Sequence, residues 1–125
     1  MNSNVMKNSY LQLIDLTFND KIYVNNESSL ELFNVEYQVM KDGESLELEA
    51  SRNSHLTIED SSIHGRISLG NNSSLDFENS TLNCDPNSWT CLSLSNNSSG
   101  ELDNILFYSG DNLDETINVD RKSVV

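Results

Sequence analysis

A chain of 125 residues has enough length for one domain with one continuous core, and no stretch approaches the ~20 apolar residues of a membrane span. The formal net charge of −13 and a pI near 4.2 repel nucleic acid and anionic membrane and favour basic partner surfaces. Asn and Ser supply 38 of the residues, an excess that suits disorder, yet the apolar residues recur too regularly for a disordered chain.

The regularity is one repeated frame, cleanest at Asn72-Ser-Ser-Leu-Asp-Phe-Glu-Asn-Ser-Thr-Leu82. With Asn72 as zero, apolar residues stand at +3, +5 and +10, and Asn at +7. The frame also fits from Asn8, Glu27, Asn53 and Asn97. Position +7 is Asp15, Asn34, Asp60, Asn79 and Asn104, and only Gly100 breaks the apolar rule. A short alternating pair precedes each later repeat: Ile22 and Val24, Leu46 and Leu48, Ile67 and Leu69, Leu92 and Leu94, with Ile117 and Val119 closing the chain. Alternation of this kind is strand-like. Such a unit buries its apolar face only by stacking on its neighbours, which predicts a solenoid of parallel strands.

In chain order, residues 1–7 are expected to cap the first coil, residues 8–120 to form about five coils, and residues 121–125 to be a short tail, all within a single domain spanning 1–125. The N-terminal residues lack the basic and then apolar regions of a signal peptide, so a cytoplasmic location is expected. Coil one is tight. Its outward +6 residue is Ile14, and coil two has Phe33 there, a small apolar spot suited to packing or self-association. Coil two carries an insert with an Asp42-Gly43 turn. Coil three holds the only histidines, His55 and His64, read as a turn residue and the start of a connection. They have no companions at ligand spacing, so no metal is expected.

Coil four inserts Asn83 to Cys91, with the only Trp, Trp89, as a candidate binding anchor. Cys84 and Cys91 are read as free thiols in a reducing compartment, or as a clip in an oxidising one. Coil five inserts Tyr108 to Thr116, containing Asp111, Asp114 and Glu115 without an EF-hand pattern. The inserts of coils two, four and five replace the same connection and should emerge along one edge. The tail gives almost no cap, and the open C-terminal coil is expected to pair with a second copy as a two-fold dimer.

The Leu-x-apolar-x-Asn segments and the Asp15, Asn34, Asp60, Asn79, Asn104 column resemble the right-handed parallel β-helix of the pectin-lyase-like solenoids. The resemblance spans nearly the whole chain. It implies an all-β, single-stranded solenoid with a side-chain ladder at the bend, and its handedness agrees with the general crossover rule. It implies no activity.

Function is read from charge. No Lys or Arg lies between Leu69 and Asp120, a stretch that holds Asp76, Glu78, Asp85, Glu101, Asp103, Asp111, Asp114 and Glu115. Outward positions +4 and +6 of the last three coils give Thr57, Asp76, Glu101 and Glu59, Glu78, Asp103. Coils about 4.8 Å apart and columns roughly 6.6 Å apart place like charges where they repel, at a spacing of the same order as the roughly 3.4 Å per phosphate of a nucleic-acid strand. The expectation is a decoy whose acidic face and loop edge occupy a basic nucleic-acid-binding groove, by analogy with small acidic anti-CRISPR and anti-restriction inhibitors. The partner-binding residues are then Glu59, Asp76, Glu78, Asp85, Trp89, Glu101, Asp103, Asp111, Asp114 and Glu115, with no catalytic residue and no cofactor. The alternatives are a self-assembling or adhesive β-helix module and, further off, a glycan-active enzyme working through paired carboxylates.

Overall fold

The computed structural model describes residues 3–18, 21–37, 47–83, 92–108 and 117–119. Among them there is no helix; every element is a strand and all pairing is parallel. Sheet A stacks β1 (Ser3–Lys7), β3 (Lys21–Asn25), β5 (Glu47–Ala50), β8 (Arg66–Leu69), β10 (Leu92–Leu94) and β12 (Ile117–Val119) in that order. Sheet B stacks β2 (Tyr10–Phe18), β4 (Ser29–Tyr37), β6 (His55–Glu59), β9 (Ser74–Asn83) and β11 (Ser99–Tyr108), with β7 (Ser62–His64) completing the β6 level between β4 and β9. The chain alternates between the two sheets and climbs one level each time, which is a β-solenoid. It makes about four turns, slightly fewer than the five coils expected, because five sheet-B levels are separated by four rises.

The register follows the sequence frame. Leu11 pairs with Leu30, Leu30 with Leu56, Leu56 with Leu75, and Leu75 with Gly100. Inward residues of both sheets merge into one apolar cluster running from Met6 to Leu94. Gly100 keeps the column despite lacking a side chain: a Cβ there would lie 3.1 Å from Leu94 Cδ2, so Leu94 already fills the space. Phe18 stacks on Tyr37 at 5.9 Å between ring centroids.

One pair shifts. In the third level of sheet A the inward residues are Leu48 and Ala50, which pair with Ile22 and Val24, rather than Leu46 and Leu48. The turn fixes the position: each inward pair ends three residues before frame position zero, and Ala50 holds that place before Asn53. Leu46 lies outside the described residues.

The corners explain the Asn and Ser content. All five +7 residues have positive φ, from 46° at Asn79 to 56° at Asn104. That region strains most L-residues and is tolerated by Asn and Asp, whose short polar side chains satisfy the local backbone. Between the sheets the chain turns on two successive left-handed residues: Asn26-Glu27, Arg52-Asn53, Asn71-Asn72 and Asn96-Asn97. At the bend Asn34 Nδ2 donates to Asp15 Oδ1 at 2.7 Å and Asn104 Nδ2 to Asn79 Oδ1 at 2.9 Å, so the expected side-chain ladder is present at both ends of the column.

Two further ladders are buried and made of serine. At +1, the Ser28 and Ser54 backbone N–H groups donate to Ser54 Oγ and Ser73 Oγ, both at 3.3 Å. At +8, Val35 N–H donates to Ser61 Oγ and Ser61 N–H to Ser80 Oγ, both at 3.0 Å. The Ser54, Ser61 and Ser80 hydroxyls return their own protons to nearby carbonyls, as from Ser61 Oγ to Glu59 O at 2.8 Å. Corner N–H groups that the sheet ladders cannot reach are thereby satisfied, as buried backbone requires.

Candidate acidic face

Strands β2, β4, β6, β9 and β11 turn frame positions +4 and +6 outward, and parallel register aligns them. One column runs Gln12, Glu31, Thr57, Asp76, Glu101; the next runs Ile14, Phe33, Glu59, Glu78, Asp103. The structure therefore brings together five of the residues expected to bind a partner: Glu59, Asp76, Glu78, Glu101 and Asp103. Neighbouring levels of a sheet lie about 4.8 Å apart, and at that distance carboxylates feel one another even at the surface.

The effect shows on Glu78. Its carboxyl is held above the usual glutamate value, first by the charge of Glu59, then by partial loss of hydration, then by Asp103, Asp76 and Glu101. Glu78 thus sits at the centre of the cluster, with a charged neighbour above, below and to the side.

Two contacts within the face were not legible from the repeat. His55 opens β6 rather than lying in a turn, with Nε2 3.7 Å from Asp76 Oδ2 and Nδ1 against Ser74 Oγ; when protonated it neutralises part of the +4 column. Register would have revealed it, because His55 and Ser74 share position +2, next to Asp76. The second contact is at the first two levels, where Tyr10 Oη donates to Glu31 Oε1 and Gln12 Nε2 donates to the same oxygen at 2.9 Å. The bond to Glu31 raises the Tyr10 phenol above its usual value. Glu31 is therefore engaged, and the open acidic surface begins at Glu59. His64, expected at the start of a connection, ends β7 beside Asn83.

The face is divided along the solenoid axis. Its first two levels show Tyr10, Ile14 and Phe33; its last three show carboxylates. Ile14 and Phe33 stand directly opposite each other in register, as expected. Asp85, Trp89, Asp111, Asp114 and Glu115 lie outside the described residues, as do Cys84 and Cys91. Their flanks are described: β4, β9 and β11 end in register (Tyr37 against Ile63, Ile63 against Leu82, Leu82 against Phe107). The following sheet-A strands likewise start in register. The strand ends that flank the three long connections are therefore aligned, level by level, along one edge.

A shallow groove of about 570 Å³ follows the bend, lined by Asp15, Asn34, Glu36, Asp60 and Asn79. Among the described residues no group of three or more His, Cys, Asp or Glu side chains is placed to hold a metal ion. Comparison with family models, curated proteins and solved structures finds no match.

Crowding at Glu78 has a measurable sign. A carboxyl whose folded-state pKa is raised adds stability below the ordinary glutamate range and loses it as pH rises through the raised value. The melting-temperature contribution of this carboxyl is expected to be greater near about pH 4 than near about pH 7. Glu78→Gln should flatten that slope and raise the melting temperature at neutral pH by roughly 1–3 °C. Parallel melting curves for the two proteins across this range would show that the cluster is fully screened.

Proposed function

We propose that the protein is an acidic binding module whose outer sheet-B face docks into a basic, nucleic-acid-binding groove of another protein and holds it closed to nucleic acid. The observation that supports this reading is the doubled column of Asp76, Glu101 and Glu59, Glu78, Asp103, stacked at the strand spacing with no Lys or Arg among them. A column free to vary would place Thr, Ser or Lys at alternate levels, because like charges directly opposite one another in a sheet are destabilising. Holding them together is accounted for by a partner of opposite charge, which converts the repulsion into complementarity and speeds encounter. An inhibitor of the anti-CRISPR or anti-restriction kind, acting as a mimic of a phosphate backbone, is the form of this reading that the carboxylate spacing suits.

The test is a pull-down with the tagged protein from nuclease-treated bacterial lysate, washed at rising salt. A retained protein that itself binds DNA or RNA, and is displaced by added duplex, supports the proposal. The variant Asp76→Lys/Glu78→Lys/Glu101→Lys/Asp103→Lys should weaken that complex by more than about 100-fold while its circular dichroism stays that of a β-solenoid. Undiminished binding by this folded variant would remove the acidic face from the argument. The second reading, a self-assembling module, draws on a different part of the molecule, the first level of the solenoid.

A further inference from the structure

Among the described residues the first level of the solenoid is open. Strand β2 pairs there with β4 on one side only, so its other edge presents a row of backbone N–H and C=O groups without strand partners among them. Its inward side chains, which in every interior level are buried, are uncovered here: Leu11 is 39% and Leu16 38% exposed. On the outer face of the same strand Tyr10 is 62% and Ile14 49% exposed. Within the segment expected to cap this coil, Ser3–Lys7 extends sheet A as β1 and leaves Leu11 and Leu16 exposed. Ahead of its bend at Asp15, an uncharged edge run without a proline or an inward charge, Tyr10–Ile14, is a template for pairing with another chain.

We infer that this end is occupied by a second copy of the protein, joined edge to edge about a two-fold axis through Gln12. Two features of this level select a second copy as the occupant. The first is self-complementarity. Antiparallel pairing of residues 10–14 with their own copy sets Gln12 opposite Gln12, Leu11 opposite Leu13, and Tyr10 opposite Ile14. The inward leucines then continue the apolar core across the junction. The outward Tyr10 ring covers the Ile14 of the other copy, an aromatic to β-branched pair of the kind that stabilises sheets.

The second is charge. No residue from 10 to 14 is charged, and the nearest acidic residue on this face is Glu31, one level away, which accepts from Tyr10 and Gln12. Joined by their first levels, two copies hold their Glu31 residues three strand spacings, roughly 14 Å, apart and their Glu59 residues five, roughly 24 Å, both beyond a Debye length of about 8 Å. Head-to-tail stacking would instead bring Glu101 of one copy to within two spacings, roughly 10 Å, of Glu31 in the next. A chain of net charge −13 is thus steered to a closed pair rather than an open filament. This inference stands on the first level alone and is independent of what the acidic face binds.

The experiment is sedimentation velocity on the full chain over a hundredfold range of concentration, with three variants. The wild type should reach about 28 kDa, twice the 14.1 kDa of one chain, and no more. Ile14→Lys should raise the dimer dissociation constant by at least about tenfold, and Leu11→Lys by more. Leu106→Lys, at an outward position 57% exposed in the last level, should leave it unchanged. Gln12→Cys in a Cys84→Ser/Cys91→Ser background should oxidise to a covalent dimer, because directly opposed antiparallel residues stand about 4.5–5.5 Å apart at Cα, within reach of a disulfide. A monomer at all concentrations, a mass that keeps growing, a dimer insensitive to both first-level lysines, or a dimer that gives no Gln12→Cys cross-link would each overturn the inference.

Discussion

Phe77→Ala is expected to lower the unfolding free energy by about 3–5 kcal/mol and the melting temperature by roughly 10–20 °C. Phe77 lies in the middle of β9, fully buried, with Ile58 and Leu102 beside it in register on the adjacent levels. Removing its ring takes away apolar burial and opens a cavity in a column whose neighbours are held at strand spacing and cannot collapse into it. A solenoid has few alternative contacts with which to compensate, since each level touches only those above and below. The loss is a large part of a typical total of about 5–15 kcal/mol. Leu106→Ala, at an exposed outward position of the next level, should stay within about 0.5 kcal/mol. Chemical denaturation of the two variants side by side gives the comparison, and equal effects would mean that inward and outward positions have been exchanged.

Ser61→Ala is expected to cost about 1–3 kcal/mol, more than a buried serine methylene would suggest. The Ser61 hydroxyl accepts the Val35 N–H from the level before and donates to Glu59 O within its own level. Alanine keeps the volume of the column nearly constant and removes both bonds. It leaves the Val35 N–H buried without its acceptor, and the desolvation of that unpaired group is the source of the cost. Ser61→Cys, close in shape but a weak hydrogen-bonding group, should fall between serine and alanine. A neutral Ser61→Ala would mean that water enters the corner and replaces the hydroxyl.

These two sites also mark what the sequence made visible and what it concealed. Phe77, Leu56 and Leu82 were legible as core because apolar residues at fixed frame positions survive any simple reading of hydropathy. The bend column was legible because Asn and Asp alone occupy it. Ser61 was not, since at +8 the chain carries Leu16, Val35, Ser61, Ser80 and Ile105, and a position that alternates between apolar and hydroxyl residues looks unconstrained. Its logic appears only when Val35 N–H is seen to need a partner one level up. At +1 the signal was present, serine in all five frames from Ser9 to Ser98, but it blended into the polar composition of the turns. Ala50 was missed for a related reason: a small residue does its part in the core without raising local hydropathy.

The acidic face was legible as two columns, since a period-two strand in a fixed frame determines which residues point outward. Its internal weighting was not. Nothing in the spacing singled out Glu78 as the most crowded carboxyl or showed Glu31 engaged by Tyr10 and Gln12. Those depend on how side chains from successive levels meet.

The climb from level to level takes 19 residues where the connection is tight and 25 or 26 where it is long, yet the inward columns stay aligned. Length can therefore be added along that edge without disturbing the frame, and the entropic cost of closing a longer loop grows only with the logarithm of its length. The solenoid is in this respect a display platform. A foreign peptide grafted between Tyr37 and Glu47, or between Asn83 and Leu92, would be held at both ends by strands already in register, and peptides grafted into the two would emerge along one line.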